Sequence, residues 1–244
     1  MEPWNHNDTY GLVRNAFGQK QERLVRSSTQ SVLDRQAFAR YHFREVLRLS
    51  NTFERQHLKS CSMIHTYDGG PKREAFENYI IKIGAHATAA VQSIHAIPDI
   101  LAHAIYFACG LNLGENKIEE HKIALPAVIG ALKKDSTFKR ICPLLINAQS
   151  GDLWNHMAAI SNLSKHRNVI RAPLNEDLTG KRKKFRELQF LSFERNEKYY
   201  PSIPFQELLE PEYTRLSLLT ITLGHELHTC LQAFVLGISP RRAQ

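Results

Sequence analysis

Arg73 to Gly110 constrains the fold of this chain more than any other stretch. Phe76, Ile80, Ile83, Ala87, Val91 and Ile94 recur there at steps of three or four residues, and Ile97, Leu101 and Ile105 continue the apolar line past Pro98. Pro98 lacks an amide proton and crowds the preceding turn, so it kinks or restarts the helix. An apolar seam of this length has to be covered by other helices, and that points to a bundle.

The rest of the chain supplies the partners. From Leu33 to about Lys59 the line Phe38, His42, Val46, Leu49 and Phe53 predicts a first long helix. Pro211 predicts the start of a C-terminal helix that buries Tyr213, Leu216, Leu223, Leu227, Leu231 and Phe234. Two short helices, around Glu119 to Lys134 and Ser136 to Ala148, are broken by Pro126 and Pro143. Phe185 to Phe193 alternates like a strand. A turn at Arg195 to Lys198 leads to a partner from Tyr199 to Phe205, which Pro201 and Pro204 confine to an edge. The expectation is a mainly α chain, a bundle of about four long helices with short accessory helices and a small β-hairpin before the C-terminal helix. Residues 1–30, polar and aperiodic, read as a flexible arm, 31–238 as a single helical domain and 239–244 as a tail.

Asp152 to Arg171 is the one stretch where polar residues line up at helical spacing. Asp152 is a suitable N-cap, and Pro173 marks where the helix must be over. Leu153, Met157, Ile160 and Ser164 share one face, and Asn155, Asn162 and His166 fall together on the opposite one. Ala158, Ala159, Leu163, Val169 and Ile170 flank that polar line, so the helix reads as buried on two sides. A buried Asn-Asn-His line needs partners from other helices, water or a ligand. Lys165 and Arg167 stand beside it. A histidine between two cations joins a base to phosphate-holding groups, which suits metal-independent RNA cleavage and equally suits passive anion binding. The remaining reading is a polar seam that joins helices or fixes a dimer.

The formal charge of +8 favours polyanionic partners. Lys181, Arg182, Lys183 and Lys184 form a four-cation loop that reads either as a solvated turn or as a phosphate contact. Four scattered cysteines without a CxxC pair indicate neither a zinc ribbon nor a disulfide scaffold. The most apolar run, Ala96 to Leu111, is too short to span a bilayer and carries Pro98, Asp99 and His103. The expectation is a cytoplasmic protein without a membrane segment, a cofactor or a metal site. His225 and His228 lack the HExxH spacing of zinc proteases, since Thr229 occupies the place of the second histidine. Among His86, His95 and His103 the separations are poor for one metal site, and they read as core or surface residues. No GxxxxGK[ST], GxGxxG or GxSxG stretch occurs.

The order of elements, with SIHAIPDILAHAI in a long second helix and NLSKHRNVI closing an inner one, resembles the HEPN-like helical-bundle superfamily over about residues 33–236. The resemblance implies a homodimer, binding of RNA, and in active members a metal-independent endoribonuclease of prokaryotic defence or toxin-antitoxin systems with a protein partner from the same operon. It implies that His166, Arg167 and Asn162 are catalytic, with Lys165, Asn155 and the 181–184 loop binding. The superfamily hallmark is an Arg followed by four to six residues and a His on a late helix. Arg35 and His42 are its only formal match, and they lie on the first predicted helix. The alternative is a non-catalytic interaction module that binds a partner protein or nucleotide.

Overall fold

The computed structural model describes residues 2–59, 62–63, 70–181 and 184–237. The fold is mainly α, as the periodicity requires. Seven α-helices are present among the described residues: α1 His6–Phe17, α2 Gln19–His57, α3 Gly70–Ala108, α4 Leu125–Leu132, α5 Cys142–Ala148, α6 Asp152–His166 and α7 Phe205–Val235. Five short strands separate α6 from α7: β1 Leu174–Glu176, β2 Arg186–Phe190, β3 Phe193–Arg195, β4 Lys198–Tyr200 and β5 Ile203–Pro204. Strands β1 and β5 flank β2 in one antiparallel sheet, and β3 pairs with β4. Asn196 and Glu197 turn that hairpin with φ values of 50° and 61°, the left-handed geometry a two-residue hairpin loop demands. Among the described residues no helix is long and apolar enough to cross a membrane.

The chain divides into two compact units, each assembled from separate segments. The first comprises Met1–Gln36, Ala96–Gly151 and Thr214–Gln244. The second comprises Ala37–His95 and Asp152–Tyr213. Helices α2 and α3 contribute to both. In the first unit the Gln21 amide donates to the Phe107 carbonyl. In the second His42 meets His86 and Phe53 stacks on Tyr79, so the two helices run antiparallel there.

Residues 1–30 are not a flexible arm. Asn5 caps α1 by accepting from the amides of Asn7 and Asp8, and α2 begins fourteen residues before Leu33. Trp4 explains the order: its indole donates to Thr9 at 2.8 Å, and its ring lies where a side chain at Gly224 would stand, so only glycine fits there. The two C-terminal histidines hold the same segment. His225 bonds the Glu2 carbonyl at 3.0 Å and His228 bonds the Thr9 hydroxyl at 3.2 Å. The buried stripe of α2 is Val25, Val32, Ala39, Val46 and Phe53 at seven-residue intervals, while Phe38 is exposed. Helix α7 starts six residues before Pro211, which lies inside it. Fully buried Phe205, Leu208 and Leu209 anchor the turns whose hydrogen bond the proline forfeits. Residues 239–244, expected as a tail, lie outside the described residues.

Candidate functional site

Helix α6 is shorter than its apolar pattern suggests. The amides of Arg167 and Asn168 both reach the Leu163 carbonyl, closing the helix, and the chain then runs extended. The amides of Leu191 and Gln189 donate to the carbonyls of Arg171 and Pro173, so the sheet captures the connector that Pro173 had already barred from helix. Val169 and Ile170 therefore belong to this connector and do not flank a helix.

The division of α6 into two faces holds, but the polar line is not buried. Met157 and Ile160 face the core together with Trp154, Ala159 and Leu163. Asn155 and His166 are exposed and Asn162 is half-buried. The apolar residues near the polar line, Ala159 and Leu163, belong to the buried side of the helix.

Lys165, His166 and Arg167 are exposed at the last turn and just beyond it, and no ion pair engages them among the described residues. Cations suit a helix C-terminus, where the free carbonyls carry partial negative charge. No carboxylate occurs between Asp152 and Glu176, so with Arg171 the end of α6 and its connector form a purely cationic strip. Beside it lies a groove of about 950 Å³, floored by Gly84, Ala85 and Ala89 of α3 and walled by Val169 and Ala172 of the connector. Ile81 and Val169 on its walls are 69% and 52% exposed, unusual for large apolar side chains. At the same end of α6, Gln92 donates to the Ser164 hydroxyl at 3.5 Å.

The remaining candidates separate. Lys181 is exposed. Lys184 donates to Gln206 at 3.0 Å and lies 3.6 Å from Glu187, so part of its charge is already answered. Arg182 and Lys183 lie outside the described residues. Arg35 and His42 stand seven residues apart on α2, ~10 Å along the axis, beyond hydrogen-bond reach within one chain. His42 is paired with His86 instead.

Their Nδ1 atoms are 2.8 Å apart, so one ring donates and the other accepts, and a single proton lies between them. Burial first, then His86, pushes the His42 pKa down, while Glu45 opposes the shift. The Arg48 fork binds Glu45 at 2.7 to 3.1 Å and holds its carboxyl below the usual range. The exposed Tyr41 ring packs edge-on against both imidazoles. His86, read from sequence as core or surface, thus gains a specific partner, and only the pairing of α2 with α3 reveals it.

His156 went unremarked in the sequence reading. It is 7% exposed and lies edge-on against Phe193 and Tyr200, whose rings stack at 4.8 Å on the β3–β4 hairpin. Its Nε2 has no hydrogen-bond partner among the described residues. Burial, then the Lys198 charge, lowers its pKa. Among the described residues no three His, Cys, Asp or Glu side chains are grouped to hold a metal ion.

Comparison with models of known protein families, with curated proteins and with solved structures gives no match.

Proposed function

We propose that this chain is a HEPN-like RNA-binding protein that engages phosphates through Lys165, His166, Arg167 and Arg171. The observation that supports it is the exposed strip at the end of α6, a segment with four basic side chains and no carboxylate of its own, in a chain of net charge +8. Phosphate contacts of this kind position RNA without reading its bases. Such a protein belongs to a prokaryotic defence or toxin system. The His166 ring makes no hydrogen bond among the described residues, so nothing orients it as a general base, and the reading is binding first. Cleavage, with His166 as base and Arg167 and Asn162 at the phosphate, is examined in the same experiment.

The experiment titrates a labelled single-stranded RNA over a salt series in EDTA, with gel analysis of the RNA afterwards. Wild type binds with a steep salt dependence, and Lys165→Ala/Arg167→Ala lowers the log–log slope by roughly 0.7 per lost phosphate contact. An unchanged slope removes the strip from the binding surface. Products formed by wild type and absent with His166→Ala extend the reading from binding to metal-independent cleavage. Sedimentation of the same sample tests the homodimer against the 28.0 kDa chain mass.

The groove carries a second reading, a module that docks an acidic amphipathic segment of a partner protein. Exposed Ile81 and Val169 would meet its apolar face, and Arg171 with the preceding cations its carboxylates. A synthetic Leu/Glu amphipathic peptide would then bind wild type and lose at least tenfold against Ala85→Arg, which fills the groove and leaves the strip intact. Equal binding to both proteins rejects the groove as the docking site.

A further inference from the structure

A second pocket, of about 630 Å³, lies in the first unit between the opening turn of α1 and the early turns of α2. None of its chemistry enters the reading of α6. Trp4, His6 and Tyr10 supply three rings, Arg23 and Arg26 two cations, and Gln30 an amide. Arg23, Arg26 and Gln30 follow one another at three and four residues, so one face of α2 presents both guanidinium groups and the amide in a row. Among the described residues no Asp or Glu lines the pocket, and the Gln30 amide donates at 2.9 Å to Asp34, one turn further along α2.

The two arginines are not equivalent. Arg26 is already oriented: its guanidinium lies 4.4 Å from the Tyr10 ring centre and 2.9 Å from the Glu22 carboxylate. Arg23 is exposed, and no ion pair engages it among the described residues. The rings are arranged as well. His6 meets Trp4 edge-on at 4.4 Å and lies roughly parallel to Tyr10 at 6.3 Å. Burial lowers the His6 pKa, which keeps the ring neutral near pH 7 and suited to packing against another flat ring. Pockets of this volume take small ligands, and guanidinium forks beside aromatic rings select a phosphate attached to a planar group.

From this juxtaposition we propose that the pocket binds a nucleoside monophosphate, with the base against the half-buried His6 ring and the phosphate on Arg23 and Arg26. The same chemistry is presented by a free mononucleotide and by the 5′-phosphorylated end of an oligonucleotide. The pocket is independent of the α6 strip, and its variants leave Lys165 and Arg167 untouched.

Isothermal titration of the full chain with adenosine monophosphate, adenosine, inorganic phosphate and a 5′-phosphorylated tetranucleotide tests it. Adenosine monophosphate binds at least tenfold more tightly than adenosine or phosphate alone. Arg23→Ala weakens it by at least fivefold at unchanged Tm, because that side chain holds nothing else in place. Arg23→Ala/Arg26→Ala abolishes it, while Lys165→Ala/Arg167→Ala leaves it unaltered. Equal affinity for the tetranucleotide supports the pocket with an RNA end as the source, and selective binding of the monophosphate supports it with a free nucleotide. Absence of adenosine monophosphate binding, equal binding of inorganic phosphate, or an unaltered affinity in Arg23→Ala overturns the proposal.

Discussion

His156 and His166 share helix α6, ten residues apart, yet the first is buried edge-on against Phe193 and Tyr200 while the second projects into solvent between two cations. Their neighbours in sequence differ, Asn155 and Met157 for the first and Lys165 and Arg167 for the second, but that difference alone does not bury a ring. What separates them is the β3–β4 hairpin, about forty residues further along the chain, which lays two aromatic rings over one histidine and none over the other. The enclosed ring has lost its water and gained no hydrogen bond at Nε2, whereas the exposed ring keeps its water and its reach. A histidine becomes available for binding or catalysis through what the rest of the fold leaves uncovered.

The sharpest way to break this contrast is at the enclosed end. Trp154 lies parallel to His95 at 5.4 Å and is buried, so Trp154→Ala should cost about 3–5 kcal/mol in urea denaturation. A loss below ~1 kcal/mol would show that this end of α6 is not core. His156→Ala should cost about 2 kcal/mol, because it empties the space beneath the hairpin rings.

The pH dependence gives a finer test. With the folded pKa of His156 held below 6.5, the unfolded chain takes up the proton first on acidification. The stability contributed by the neutral ring is complete above pH 6.5 and is lost as pH falls from 6.5 towards the folded pKa. His156→Leu, which cannot titrate, should therefore lose less stability than wild type between pH 8 and pH 5. His6 and His42 are lowered too, so part of the wild-type slope should survive. Parallel slopes for the two proteins would show that His156 titrates as it does in the unfolded chain. The smallest effect belongs to the exposed end: His166→Ala should shift stability by no more than ~0.5 kcal/mol. A larger shift would make that ring part of the fold.

What the sequence revealed and what it hid follow the same line. The α3 seam was legible because Ile83, Ala87, Val91 and Ile94 are all buried, as their spacing requires. The hairpin turn was legible from Arg195 to Lys198. The first third of α2 was not, because its stripe is thin and polar residues share it. Gln21 and Thr29 are buried beside Val25 and Val32, and Gln21 is satisfied by the Phe107 carbonyl, which no local pattern announces. On α6, helical spacing grouped Asn155, Asn162 and His166 correctly but could not say which side the fold would cover. The His42–His86 contact, 44 residues apart in sequence, depends on the register of two antiparallel helices and leaves no trace in either segment alone.

The place of Trp4 over Gly224 has a consequence for the life of the chain before it is finished. At synthesis rates of ~5–20 residues per second, some 220 residues separate the making of the indole from the making of its seat, a wait of roughly 10–40 s. Throughout that interval the N-terminal helix has no place to dock on α7, and the first unit, which takes in the chain from Thr214 onward, stays open on the ribosome. Helix α7 is thus the step that closes the first unit, and a ribosome stalled before it would hold that unit open.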